Sequence, residues 1–307
     1  MLRRSRLPVL LAAALVTLSC THPAPPAAPP AGEPVTWDRI IAQPAPPAGE
    51  RVAYGAAPQQ FGELRLPDGP GPHPVVVLLH GGCWQNEYDL GYVAAPAEAL
   101  RRAGFATWTL EYRRIGDAGG AWTGTFQDVA RGTDHLRELA RTRPLDLGRV
   151  VLAGHSAGGH LALWLAARRN LPAGSPLHSA DPLPVRGVVP LAGITDLRTY
   201  AAGAGSCNAA VPQLMGGAPD AVTDRYAQAN PPELLPLGVP VRLVQGDRDP
   251  IVPAAQATAF ESAARAAGDD ARVVLLEGAG HFDVVAPFAP AWSAVERAIR
   301  ELIGDRG

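Results

Sequence analysis

A chain of 307 residues that is 47% hydrophobic and 18% charged carries enough apolar side chain for one globular domain with a sizeable core, and too much for general disorder. Its formal net charge is -2 and no run of Lys or Arg lies inside the domain. That excludes the basic footprint of a nucleic-acid binder and leaves small molecules as the expected partners.

The first predicted elements concern export. Residues 1–20 join Arg3, Arg4 and Arg6 to an apolar run from Leu7 to Leu18 and end in Ser19-Cys20, the layout of a signal peptide too short to span a membrane. A small residue followed by cysteine resembles the lipobox of bacterial lipoproteins, with Cys20 as the lipidated residue, although Thr17 stands where leucine is usual. Residues 21–35 are rich in Pro and Ala and read as a polyproline II tether that reaches roughly 40 Å from a membrane surface. The expected location is outside the bacterial cytoplasm, either anchored by lipid or, with a plain secretory signal, periplasmic or secreted. The folded domain is then residues 36–307.

Within it, extended segments at Arg51–Tyr54 and Phe61–Leu66 predict an antiparallel edge hairpin. Short apolar, β-branched runs follow at Val75–Leu79, Thr107–Leu110, Val150–Leu152, Val185–Val189, Val241–Val244 and Val273–Leu276. Between most of them lie stretches of helical period at Tyr92–Ala103, Phe126–Arg141, His160–Arg169 and Ala254–Ala267, with a last one at Ala291–Ile303. Alternation of this kind predicts an α/β fold: a mostly parallel central sheet with helices on both faces. The segment Leu191–Pro240 is expected to form a short partial cap.

Chemistry enters where the Val150 strand runs into Gly154-His155-Ser156-Ala157-Gly158-Gly159 and then a helix. A strand, a tight glycine-flanked turn and a helix hold a serine hydroxyl clear of its neighbours, where a base can reach it, so Ser156 is the expected nucleophile. On such a fold the acid and then the histidine must follow, each at the end of a later strand. Of the eight histidines only His178 and His281 lie beyond Ser156 and clear of its helix. His178 precedes every plausible acid-bearing strand end, whereas His281 sits in a glycine-rich loop just after the Val273–Leu276 strand. The acid belongs in Gly246-Asp247-Arg248-Asp249-Pro250. Asp249 is favoured, because an aspartate directly after Gly246 is suited to capping the turn, while Pro250 holds Asp249 extended nearer the loop tip. The run His80-Gly81-Gly82-Cys83-Trp84 ends the Val75–Leu79 strand, where backbone donors for an oxyanion are needed. Gly82, Cys83 and Ala157 are the expected donors, with His80 bracing the loop.

From about Tyr54 to Ile303 these motifs resemble the α/β-hydrolase superfamily, and within it the esterase/arylformamidase-like (kynurenine formamidase-like) branch with an HGGxW oxyanion loop, here His80–Trp84. The segment Glu111–Asp128 is also similar to bacterial members. The resemblance implies a Ser156, Asp249, His281 triad, an oxyanion hole of Gly82, Cys83 and Ala157, and an α/β-hydrolase fold. Cys83 departs from the third glycine of related HGGG esterases.

If Cys20 is consumed by processing, Cys83 and Cys207 remain, and in an oxidising compartment a disulfide between them is expected over two buried thiols. Trp84, Tyr112, Trp122 and Phe282 are the expected aromatic lining of a substrate pocket. No cofactor or metal is expected: the glycines around Ser156 lack the Lys-Ser/Thr of a phosphate loop, and no His/Cys/carboxylate cluster has ligand spacing. The expected reaction is hydrolysis of a small carboxylic ester or arylformamide through an acyl-enzyme. Exopeptidase activity ranks behind these, and a binding lipoprotein that keeps the fold without turnover is the alternative of a different class.

Overall fold

A computed structural model describes residues 32–304. The signal peptide, Cys20 and the greater part of the tether lie outside them. Eight strands, β1 (Glu50–Ala53), β2 (Phe61–Arg65), β3 (His73–Leu79), β4 (Ala106–Leu110), β5 (Leu145–His155), β6 (Gly187–Leu191), β7 (Val241–Gly246) and β8 (Ala271–Leu276), form one sheet in the order β1-β2-β4-β3-β5-β6-β7-β8. β1 pairs with β2 and β2 with β4 antiparallel, and the other five pairings are parallel. The helices are α1 (Trp37–Ile41), α2 (Ala94–Arg102), α3 (Gly124–Asp134), α4 (Leu136–Leu139), α5 (Ala157–Ala167), α6 (Leu197–Ala201), α7 (Ser206–Met215), α8 (Thr223–Ala229), α9 (Ala254–Ala266) and α10 (Trp292–Ile303).

Period-two alternation sends successive strand side chains to opposite faces, and both faces are apolar. Val75, Val77 and Leu79 pack with Phe126 of α3, Leu161 of α5 and Phe260 of α9. Val76 and Leu78 pack on the other side with Leu100 of α2 and Ile299 of α10. All residues of α5 are buried, which explains why it is apolar around its whole circumference rather than along one stripe. Helices α6, α7 and α8 occupy the expected partial cap between β6 and β7.

Several boundaries differ from the periodic reading, as where the Val185–Val189 strand falls at Gly187–Leu191 and the Phe126–Arg141 helix divides into α3 and α4, and two differences have a visible cause. Strand β5 starts at Leu145, well before the apolar run, because Leu145 and Asp146 pair with His73 and Pro74 before the register shifts and pairing resumes at Val75 with Val150. The polar residues of that irregularity mask the strand. At the N-terminus the chain is already docked within the expected tether: Val35 is buried and its N–H donates to Asp283 Oδ2 at 2.9 Å.

Candidate active site

Parallel strands deliver their C-terminal ends to one edge of the sheet, and the expected residues meet there. Ser156 joins β5 to α5 with φ 56° and ψ -118°, a sterically costly conformation for a residue with a Cβ. Holding it requires the close approach of strand and helix that the glycines allow. A Cβ on Gly154 would fall 2.1 Å from Gly158 O, and one on Gly158 would fall 2.3 Å from Leu79 O. Ser156 is itself anchored by its N–H to Leu191 O at 2.9 Å, and its carbonyl accepts from Gly159 N at 2.9 Å and Ile194 N at 3.2 Å.

The loop after β7 brings Asp249 to His281, which follows β8, with Oδ2 accepting from His281 Nδ1 at 2.7 Å. Both side chains are buried. Asp249 Oδ1 accepts from Ile251 N at 2.8 Å and Val252 N at 2.9 Å, and Gln245 Nε2 donates to Oδ2 at 3.1 Å. Burial alone pushes the pKa of such a carboxyl up, but the His281 contact and the two backbone donors outweigh it and hold Asp249 below the usual aspartate value. Asp247 is exposed and accepts from Gly278 N at 2.8 Å, so it ties one turn to the next instead of meeting His281.

The loop after β3 crosses in front of Ser156. Positive φ values of 91° at Gly82, 53° at Cys83 and 56° at Trp84 turn its backbone tightly. A side chain on Gly82 would collide with Tyr88, whose Cβ lies 2.3 Å from the Cβ position. Beneath the loop, His80 Nε2 bonds Glu111 Oε1 at 3.1 Å, its Nδ1 bonds Gly81 O at 2.9 Å, and its ring stacks on Tyr112 with centroids 4.4 Å apart. Glu111 also accepts from Leu90 N and Tyr112 N. Burial pushes its pKa up, but His80, Arg114 and the Tyr112 N–H together hold it below the usual glutamate value. His80 is therefore bracing, as expected.

Cys83 and Cys207, 124 positions apart in sequence, are joined in a disulfide with Cα atoms 5.0 Å apart. It ties the loop after β3 to α7 of the cap. Closing so long a loop removes roughly 5 kcal/mol of unfolded-chain entropy in the simple chain model.

Ser156, His281, Gly82 and Cys83 all face one cavity of about 350 Å³, whose walls include Trp37, Tyr88, Tyr92, Phe282, Tyr200 and Ile251. The aromatic lining expected from sequence is thus corrected in three of four positions. Trp84 and Tyr112 have no exposed surface. Trp84 packs edge-on against His160 with centroids 5.4 Å apart, and Tyr112 donates its O–H to His80 O at 2.7 Å. Trp122 packs edge-on against Phe126, with centroids 5.6 Å apart, away from the cavity. These rings support the loops from behind; Phe282 alone of the four lines the cavity.

Sequence reasoning also passed over a relay that joins the site's loops. Gly81 N–H donates to Tyr92 Oη at 2.6 Å, Tyr92 O–H meets His155 Nδ1 at 2.9 Å, and His155 Nε2–H donates to His281 O at 3.0 Å. His155, the residue before the serine, thereby links the loop after β3 to the loop bearing His281. Its only sequence signal was its place in the elbow. Burial foremost, and then the neighbouring His281, push the His155 pKa down to about 3. Burial also takes His160, whose Nε2 donates to Ala229 O at 2.9 Å, down to about 4.

Both folded values lie below the ordinary histidine value of 6.5, so in the window from about 6.5 down to about 4 the unfolded chain binds protons that the folded chain excludes. Stability is full above that window and falls as pH falls through it. Urea titrations at pH 7 and pH 5 are expected to show a loss of about 2 kcal/mol from each histidine. Equal unfolding free energies at the two pH values would contradict the neutral, buried assignment.

The BD-FAE family model matches residues 64–264. The chain is 26% identical over 216 residues to esterase LipQ of Mycobacterium tuberculosis, covering 66% of this chain and 49% of that protein. It is 26% identical over 244 residues to a probable isoprenylcysteine alpha-carbonyl methylesterase of Oryza sativa subsp. japonica, covering 76% of this chain and 58% of that one. The chain thus spans about half the length of the curated relatives it matches. A solved truncated carbohydrate esterase from gut microbiota superposes with a TM-score of 0.72 at 19% identity, over 85% of this chain and 98% of its own. That last likeness concerns the fold.

Proposed function

The chain belongs to the BD-FAE family and carries the α/β-hydrolase fold, and from that premise we propose that it hydrolyses carboxylic esters of small molecules through Ser156, His281 and Asp249. The observation that carries this reading is the 2.7 Å bond from His281 Nδ1 to the buried Asp249, in a site where His281 and Ser156 face the same cavity. With Nδ1–H committed to the carboxylate, Nε2 is the basic nitrogen. In this scheme Ser156 Oγ attacks the ester carbonyl carbon and passes its proton to His281 Nε2. The tetrahedral oxyanion is held by N–H groups of Gly82, Cys83 and Ala157. Its collapse breaks the bond to the alcohol, which leaves with the proton from His281. Water, deprotonated by His281, then attacks the acyl-serine; the acid departs and Ser156 regains its proton. An arylformamide passes through the same steps with an amine as leaving group.

We further infer that the domain works outside the cytoplasm, held through lipid on Cys20 or released after a plain signal peptide. The Cys83–Cys207 disulfide supports export, because such bonds persist in oxidising compartments.

A fluorophosphonate probe tests the nucleophile directly. The expected result is a single covalent adduct on Ser156 of the folded protein. A folded protein that takes up no adduct there would favour a binding role for the site.

A further inference from the structure

The wall of the catalytic cavity includes a residue from outside the segment matched by the family model, which covers 64–264. Trp37, on the short helix α1, lies with its ring centroid 5.6 Å from Tyr88, 5.4 Å from Tyr92 and 5.6 Å from Phe282. Helix α1 is held there from both sides. Val35 N–H, just before it, bonds Asp283 on the His281 loop, and Ile40 is buried in the core.

Behind this aromatic cluster lies a second cavity, also of about 350 Å³, lined by Ile40, Ile41, Pro44, Pro46 and Ala95 among others. Trp37, Tyr88 and Tyr92 border both cavities. They form a partition between the two. Tyr92 is committed to the Gly81–His155 relay, and Tyr88 packs against the Gly82 backbone, where a Cβ would lie 2.3 Å away. Trp37 is the member of the partition held mainly by ring contacts, so its size sets where the catalytic cavity ends.

We propose that Trp37 is a specificity-determining residue that limits the length of the ester arm lying toward α1. The wild-type site then takes esters whose apolar arm on that side is short, and the cavity behind the indole is closed to it. This inference rests on the ester-hydrolase reading. Removing the indole joins the two cavities into one mainly apolar trough, with Gln43, Glu87 and Asp89 also on its wall, and burying each further methylene of a longer arm then tightens binding about fourfold.

The test is a chain-length series on the full-length protein, using p-nitrophenyl acetate, butyrate, octanoate and dodecanoate to vary the acyl arm, and acetate esters of matching linear alcohols to vary the other. Trp37→Ala is expected to raise the long-to-short ratio of kcat/KM by at least about tenfold in one series, mainly through lower KM for the long esters. Trp37→Phe, which retains a ring, is expected to stay near the wild-type ratio. Trp37→Leu keeps an apolar contact for α1 and is expected to fall between them, so a poorly folding alanine variant does not remove the test. An unchanged ratio in both series for folded variants that still cleave acetate esters would overturn the proposal. Failure of the ester-hydrolase reading is a different result: the wild type then cleaves no member of either series and takes up no fluorophosphonate.

Discussion

Ser156→Ala is expected to lower hydrolysis of p-nitrophenyl acetate and butyrate by on the order of 10⁵-fold, with the fold intact. In the proposed scheme the substitution removes the attacking atom and leaves the proposed oxyanion donors and the cavity, which by themselves accelerate the reaction modestly. Stability is expected to change little. Alanine keeps the same Cβ at the same backbone angles, and the anchoring bonds from Ser156 N to Leu191 O and from Gly159 N and Ile194 N to Ser156 O are all main-chain. The angles themselves, φ 56° and ψ -118°, cost roughly 1–3 kcal/mol in any residue with a side chain. Ser156→Gly is therefore expected to unfold at higher temperature than Ser156→Ala while being equally inactive. Turnover by the alanine variant within tenfold of wild type, measured on protein whose unfolding transition is intact, would assign the nucleophile elsewhere.

The order of these elements was readable because each depends on local chemistry. A glycine-flanked serine between an apolar strand and a helix, an acid after one later strand and a histidine after the next occupy strand ends whatever the details of packing. The edge hairpin and the parallel strands followed from apolar periodicity for the same reason. Turn chemistry favoured Asp249 over Asp247 for the wrong reason: it is Asp249 that accepts from its own turn, at Ile251 N and Val252 N, whereas Asp247 reaches Gly278 N on another loop. The cavity wall was a different problem. Trp84 and Trp122 sit beside the right loops in sequence, but which side of a loop a ring faces is set by what packs beneath it: His160 for the first and Phe126 for the second. Trp37 gave no local sign at all. It follows a proline-rich stretch that reads as a linker, and it reaches the cavity through a contact between Val35 and Asp283 that spans 248 positions. Likewise His155 reads as elbow filler until Tyr92 and the His281 carbonyl are seen on its two nitrogens.

Asp249→Asn is expected to cost on the order of 10³–10⁴-fold in kcat, with KM near wild type, whereas Asp247→Asn stays within a few-fold. The hydrogen bonds around Asp249 decide how an amide would sit. Oδ1 accepts from two main-chain donors, Ile251 N and Val252 N, so the asparagine oxygen is held in that position. The amide NH₂ must then take the place of Oδ2, where it faces the Gln245 amide donor and His281 Nδ1. A donor in that position is satisfied only if Nδ1 gives up its hydrogen and accepts, which moves the imidazole hydrogen to Nε2. An Nε2 that already carries hydrogen has no lone pair for the Ser156 proton, so attack is blocked although every atom is in place. Rotating the amide instead restores the Nδ1 contact but points NH₂ at two main-chain N–H groups, an arrangement that costs at least one buried hydrogen bond. Asp247 imposes no such choice, since asparagine keeps an acceptor for Gly278 N on an exposed turn. Kinetics of the two variants at pH 7 and pH 9 check the assignment. Equal losses from both aspartates would remove Asp249 from the role of acid. A loss confined to Asp249→Asn that shows in kcat, at unchanged thermal stability, is the signature of a misdirected tautomer rather than a collapsed loop.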